Sequence, residues 1–147
     1  MYTASPLPIV VVDTNIFIGA CLGVGAPNRV IAAALENQFM PVMGVALFNE
    51  YEAVLGREAL FRESRLSANE RSELLDIFLA KCLWTRVYYG WRPNLRDETD
   101  NHLIELAIAA GASRIVTRNL RDFANPQLRF DSVHAISPQD FLKELTP

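Results

Sequence analysis

The chain has 147 residues, half of them hydrophobic and about a fifth charged, the balance of a folded protein and not of a disordered or low-complexity one. At this length one core buries roughly 70% of the unfolded surface, so neither disulfides nor structural zinc are required, and Cys21 and Cys82 fit neither framework; they read as two small buried thiols. The formal net charge of -3 argues against a nucleic-acid partner, although the fourteen basic residues are twelve arginines and two lysines, and the arginine fork is the better phosphate ligand.

Residues 1–8 carry no side-chain positive charge, and the apolar run at 9–12 is too short for a signal-peptide core or a membrane span. A soluble, cytoplasmic chain forming a single domain over residues 1–147 is expected, without repeats or linkers. The run Ile9-Val10-Val11-Val12 is β-branched without alternation, which suits a central parallel strand covered on both faces. Residues 28–37 form a helical pattern through Val30, Ile31, Ala34 and Leu35, and residues 40–43 suit a second strand. Leu47, Phe48, Tyr51, Val54 and Leu55 share one helical face. No element is assigned to residues 56–66. Ser67-Ala68-Asn69-Glu70 is a capping box opening a helix with Leu74, Leu75, Phe78, Leu79 and Cys82 inward.

A strand is predicted at 85–89. A helix follows at 100–110, with Leu103, Ile104, Ala107 and Ile108 inward and Gly111 as its stop. Strands at 114–117 and 133–136 come next, then a helix from Ser137-Pro138, with serine as cap and proline in the first turn. Alternating strands and helices imply an α/β fold around a parallel sheet.

Acids recur where such strands end. Asp13 directly follows the first strand, at the carboxyl edge where open α/β sheets bind ligands; capping the next helix, by Asp13 or Thr14, is the structural alternative. Asp97-Glu98-Thr99-Asp100 precedes an apolar helix whose buried face Asp100 shares. A carboxylate there is costly unless paired or metal-bound, while Asp97 suits a cap or a supporting group. Glu50 and Glu52 flank one apolar stripe from opposite sides, and periodicity does not choose between them. Thr117-Arg118-Asn119-Leu120-Arg121-Asp122 follows another strand, with Asn119 suited to a turn and Asp122 to a cap as well as to a site. In a parallel sheet Asp13, Asp100 and Asp122 converge on one crevice. Two such charges about 5 Å apart repel by roughly 3 kcal/mol at an effective dielectric near 20, so the cluster is unstable unless some of its acids are protonated or a divalent cation neutralises them. Oxygen ligands favour Mg²⁺ or Mn²⁺ over zinc, and a cation so held suits water activation and charge stabilisation at a phosphate ester.

Four segments, in order, carry a resemblance: Val11-Val12-Asp13-Thr14-Asn15-Ile16-Phe17, Phe48-Asn49-Glu50-Tyr51, the stretch from Asp97 to Ala107, and that from Ile115 to Phe123. Together they resemble PIN-domain proteins, of the kind that serve as the toxin in VapBC-like toxin–antitoxin pairs. The resemblance implies a three-layer α/β/α sandwich with a central parallel sheet and a Mg²⁺- or Mn²⁺-dependent endoribonuclease. It also implies RNA as substrate, a cognate antitoxin as partner and a homodimer. Carried over by position, Asp13, Glu50 and Asp100 are the core metal-binding, catalytic acids, and Glu50 is preferred to Glu52. Thr14 and Asn15 support them by hydrogen bonds, as do Asp97, Thr117 and Asn119. Many PIN domains have aspartate where this chain has Asn119; Asp122, three residues later, is the expected substitute acid, and a second metal is correspondingly in question.

Arg118 and Arg121 stand beside the site as RNA-phosphate contacts, with ordinary surface arginines as the alternative. Trp84, Tyr88, Tyr89 and Trp91 read as packing or dimer-contact aromatics, with base stacking as the alternative. His102, two residues after Asp100, is read as pointing away from the site. A degenerate PIN module that binds RNA or protein without cutting is the competing function. An aspartyl phosphotransferase of the haloacid-dehalogenase type is set aside, because Asn15 stands where it needs a second aspartate.

Overall fold

The structure is a computed structural model describing residues 6–23, 25–87, 98–123 and 132–146, with the side chains of 98–101 left outside that description. Among the described residues five strands form one sheet: β1 (Ile9–Val12), β2 (Met40–Met43), β3 (Leu83–Trp84), β4 (Arg114–Val116) and β5 (His134–Ile136). Their order is β3-β2-β1-β4-β5 and every pairing is parallel. The order reverses between β1 and β4, so the carboxyl ends of these two strands open a crevice at the topological switch point. In β1, Val10, Val11 and Val12 are all buried, as an unalternating run covered on both faces should be.

Among the described residues six α-helices connect and cover the strands: α1 (Thr14–Leu22), α2 (Ala26–Leu35), α3 (Val45–Leu55), α4 (Ala68–Lys81), α5 (Glu98–Ala110) and α6 (Pro138–Leu145). Helix α5 packs on β1, β2 and β4, while α2 stacks against α1, α4 and α6, and α4 lies on β2. The result is the expected α/β/α sandwich. Among the described residues no single helix is long and apolar enough to cross a membrane.

The local chemistry is legible. Ser67 and Glu70 form both bonds of the capping box, Ser137 caps α6 with Pro138 in its first turn, and Gly111 follows α5 at φ 71°, where a side chain would be strained.

Three expectations are corrected. The helix placed at 28–37 runs Ala26–Leu35, because Pro27 is tolerated in the first turn and Asn37 has already turned left-handed at φ 62°. The third strand lies at Leu83–Trp84, and residues 85–87 of the predicted strand are not part of it: β2 ends at Met43, and Thr85 closes the ladder by donating its N–H to the Met43 carbonyl at 2.9 Å. Residues 88 and 89 of that predicted strand lie outside the described residues, as does Trp91. Residues 56–66 contain a 3₁₀ turn, Glu58–Phe61, tied down by Arg71 of α4. Arg71 is buried, its guanidinium 4.3 Å from the centre of the Phe61 ring, bonded to Glu58 and donating to the Leu66 carbonyl at 3.0 Å. Phe61 is thus the segment's one buried anchor in the core, and most of the residues around it stay exposed.

Beneath the crevice, the rings of Phe17, Tyr51 and Phe78 pack on one another. The Tyr51 hydroxyl donates to the Val12 carbonyl at 2.8 Å, anchoring the strand end that carries Asp13. Burial lifts the Tyr51 hydroxyl well above the ordinary tyrosine range, so it remains a donor. Tyr51→Phe is expected to cost about 1–2 kcal/mol in urea unfolding; a loss within error would mean that this bond does not hold the strand end.

Both thiols are free, Cys21 buried and Cys82 only partly so. Burial pushes Cys21 up to about 11 and Cys82 up to about 12, which leaves little thiolate, the reactive form, at neutral pH.

Candidate active site

Asp13 stands at the carboxyl end of β1, directly at the switch point. Its backbone N–H bonds to the Val116 carbonyl of β4 at 3.0 Å, so the sheet itself fixes its position. The side chain caps α1, with Oδ1 accepting from the Thr14 N–H at 2.8 Å. Capping and site membership, opposed at the level of sequence, are one arrangement. Oδ2 accepts from the Thr117 hydroxyl at 2.8 Å and from Asn15 Nδ2 at 3.3 Å. Thr117 in turn accepts from the Asn119 N–H at 3.0 Å, and Asn15 Oδ1 accepts from the Arg118 N–H at 3.2 Å. The loop after β4 is thus laced onto the β1 carboxylate.

Glu50, on α3, reaches the same place. The Thr14 hydroxyl lies 3.3 Å from Glu50 Oε1 and 3.5 Å from Asp13 Oδ1, so a single hydroxyl separates the two carboxylates. Glu52 is exposed and takes no part. Among the described residues neither Asp13 nor Glu50 pairs with lysine or arginine.

His102 is the residue that sequence reasoning misplaced. Its Nε2 lies 2.8 Å from Glu50 Oε2. A two-residue step turns His102 away from Asp100 on the same helix, but α3 packs against α5 and brings Glu50 to the histidine. No periodicity within α5 carries that signal.

Of Asp100 the structure describes the backbone, in the first turn of α5; its side chain lies outside the described residues, as does Asp97. Asp122 is exposed on a short 3₁₀ turn, Leu120–Phe123, with its N–H bonded to the Asn119 carbonyl. No described hydrogen bond joins its side chain to Asp13 or Glu50. Asn119, Arg118 and Arg121 are exposed on the same loop.

Asp13 is 6% exposed, and its carboxyl is held above the ordinary carboxylate range. Burial is the main cause and the Glu50 charge adds to it, while the bonds from Thr117 and Thr14 and the nearby His102 act in the opposite sense. Two acids crowded without a cation are what a divalent metal relieves, and the donors are carboxylate and hydroxyl oxygens, which suit Mg²⁺ or Mn²⁺. Among described side chains no set of three metal-binding residues is complete; Asp100, at the start of α5, supplies the third acid only by position.

The raised Asp13 value has a sign that can be checked. Between the unfolded value near 3.8 and the higher folded value, the folded state holds a proton that the unfolded chain has released. The contribution is present below the unfolded value and is lost as pH rises through the folded one. Metal-free wild type is therefore expected to lose stability relative to Asp13→Asn as pH rises from the unfolded value through the higher folded one. Urea unfolding at several pH values reads the difference; a flat difference profile, or one of opposite slope, would refute it.

A model of the PIN domain family matches residues 9–121, covering all four segments noted in the sequence up to Arg121. No curated protein matches the chain. Among solved structures, the fold is similar to a chain in the crystal structure of VapBC2 from Rickettsia felis bound to a DNA fragment from their promoter. That match has a TM-score of 0.58 at 17% identity and covers 88% of this chain and 98% of the other.

Proposed function

Starting from the chain's membership of the PIN-domain family, we propose that it is a divalent-cation-dependent endoribonuclease, the toxin of a toxin–antitoxin pair. The observation that carries the reading is the pair of carboxylates, Asp13 and Glu50, joined through Thr14 at the switch point, with no lysine or arginine paired to either among the described residues. The likeness to a VapBC2 complex supports an antitoxin as partner.

Asp13, Glu50 and Asp100 would hold Mg²⁺ or Mn²⁺. When bound, the cation supplies an activated water and stabilises charge at the phosphate. The chain's own residues do the rest. Thr14, Asn15 and Thr117 fix both oxygens of Asp13, so that the carboxylate does not reorganise during reaction. His102 fixes Glu50 in the same way. Arg118 and Arg121, exposed on the loop beside Asp13, hold the phosphates flanking the cleaved bond. Asp122 belongs to this reading as an acid at the mouth of the crevice.

The competing reading, a module that binds RNA without cutting, rests on the neutral Asn119. One experiment separates the two: incubating RNA with purified protein and Mg²⁺ or Mn²⁺, with and without EDTA. Cleavage that EDTA abolishes is expected. RNA retained but uncut supports the binding module, and cleavage indifferent to EDTA refutes the metal.

A further inference from the structure

Beside the acid pair, between the amino end of α3, residues 84–87 and α5, lies a cavity of about 540 Å³, within the size range of small-molecule sites. Its walls include Val45, Leu47, Leu106 and the indole of Trp84. Gly44 permits the close approach: a Cβ there would lie 2.9 Å from Leu106 and 3.3 Å from the Thr85 carbonyl.

Two polar side chains in this wall have unmet bonds. Glu105 is 5% exposed, and its Oε2 is buried with no hydrogen-bond partner among the described residues. His102 Nδ1 is buried and unpartnered as well, while its Nε2 is engaged by Glu50. The two are three apart on α5, hence on one face. Buried polar groups without partners are rare in folded chains and ask for an explanation. A carboxylate accepts only, so it calls for an occupant with donors. The occupant must also be flat enough for apolar walls and must sit against the acid site to which His102 connects the cavity.

We infer that this cavity takes a guanine base of the RNA, with its Watson–Crick edge on Glu105. The inference rests on the ribonuclease reading above. Guanine presents two adjacent donors, N1–H and the N2 amino group, to meet the unpartnered Glu105 Oε2. Adenine and cytosine place an acceptor nitrogen beside their one amino group, and uracil flanks its one N–H with carbonyls, so each sets an acceptor against the carboxylate. Trp84, half exposed, offers a stacking face. A site built to hydrogen-bond one partner rejects those that leave its buried groups unpaired.

The test uses nucleosides and the full metal-free chain, so that neither turnover nor metal enters. Guanosine, adenosine, cytidine and uridine are titrated and followed by ligand-observed NMR. Guanosine is expected to bind at least about tenfold more tightly than the others. Glu105→Gln should remove that preference. Ala46→Phe, which fills the cavity from an exposed position, should remove binding even if the first variant folds poorly. Equal binding of all four nucleosides, no saturable binding, or guanosine affinity unchanged in Ala46→Phe would overturn the inference. So would displacement of guanosine by N-acetyl-arginine amide at equal concentration, which would assign the cavity to a protein side chain. RNA cleavage without guanosine preference retires the pocket alone; guanosine preference without cleavage retires the nuclease reading alone.

Discussion

Asp13→Asn is expected to reduce metal-dependent RNA cleavage by roughly three orders of magnitude, equivalent to about 4 kcal/mol of transition-state stabilisation. The substitution removes one negative charge and leaves the shape. Asparagine is as good an N-cap as aspartate, so the bond from the Thr14 N–H to the side-chain oxygen can persist. The amide nitrogen then replaces Oδ2 and faces the Thr117 hydroxyl, which can rotate to accept. The same nitrogen also meets Asn15 Nδ2, a donor facing a donor, at a small local cost. Burial no longer acts against a charge at this position, so metal-free stability at neutral pH is expected to equal or exceed that of wild type. Loss of activity with retained stability is the signature of a carboxylate used for chemistry. Initial rates at saturating Mg²⁺, with a parallel urea titration, measure both. Activity within tenfold of wild type would remove Asp13 from the mechanism. Asp100→Asn is expected to behave the same way.

Phe78→Ala is expected to destabilise the fold by about 3–5 kcal/mol, a large share of the roughly 5–15 kcal/mol typical of a natural domain. Phe78 is fully buried and lies 5.8 Å from the Phe17 ring and 6.1 Å from the Tyr51 ring. The elements around the ring are held in place and resist collapse into the space: α1 by its Asp13 cap, α3 by the Tyr51 bond to Val12, and Phe78's own helix α4 by its capping box. The missing ring therefore leaves a cavity, which adds to the lost burial. Denaturant unfolding followed by circular dichroism gives the value, and a loss below about 1 kcal/mol would show that the aromatic cluster repacks freely. Because Tyr51 stacks on Phe78, the damage should reach the strand end that carries Asp13, and activity should fall even where the variant remains folded.

What could be read from the residues alone follows from how locally each feature is determined. The capping box at Ser67, the proline start of α6 and the strand at Ile9–Val12 are statements about neighbouring residues, and they stand as read. Helix α1 left no periodic pattern because residues are buried around most of it, including Ile16, Phe17, Gly19, Ala20 and Cys21; a helix without a polar face has no period to detect. Strand β3 depended on where β2 ends, which is information from another segment. The role of Arg71 on α4 comes from Glu58, Phe61 and Leu66 upstream, which nothing within the helix signals.

The candidate site divides in the same way. Asp13 was legible because a strand end and an acid are adjacent in the chain. The choice of Glu50 over Glu52 needed the family resemblance, and the contacts from Thr14 and His102 now give it a physical basis. What His102 and Glu105 face was not legible, since it is set by the packing of α5 on α3 and on the segment after β3. The charge balance also takes on a different meaning. Acids that made the chain look unfriendly to RNA include two that are gathered where a cation would offset them.

The central claim is that the carboxylates at the β1/β4 switch point hold a divalent cation. Titrating Mn²⁺ into the purified chain, followed by electron paramagnetic resonance, tests it without any assumption about substrate. Saturable binding that Mg²⁺ competes away, and that both Asp13→Asn and Glu50→Gln weaken by tenfold or more, is the result expected. Binding that is absent from wild type, or equally strong in the two variants, would contradict it.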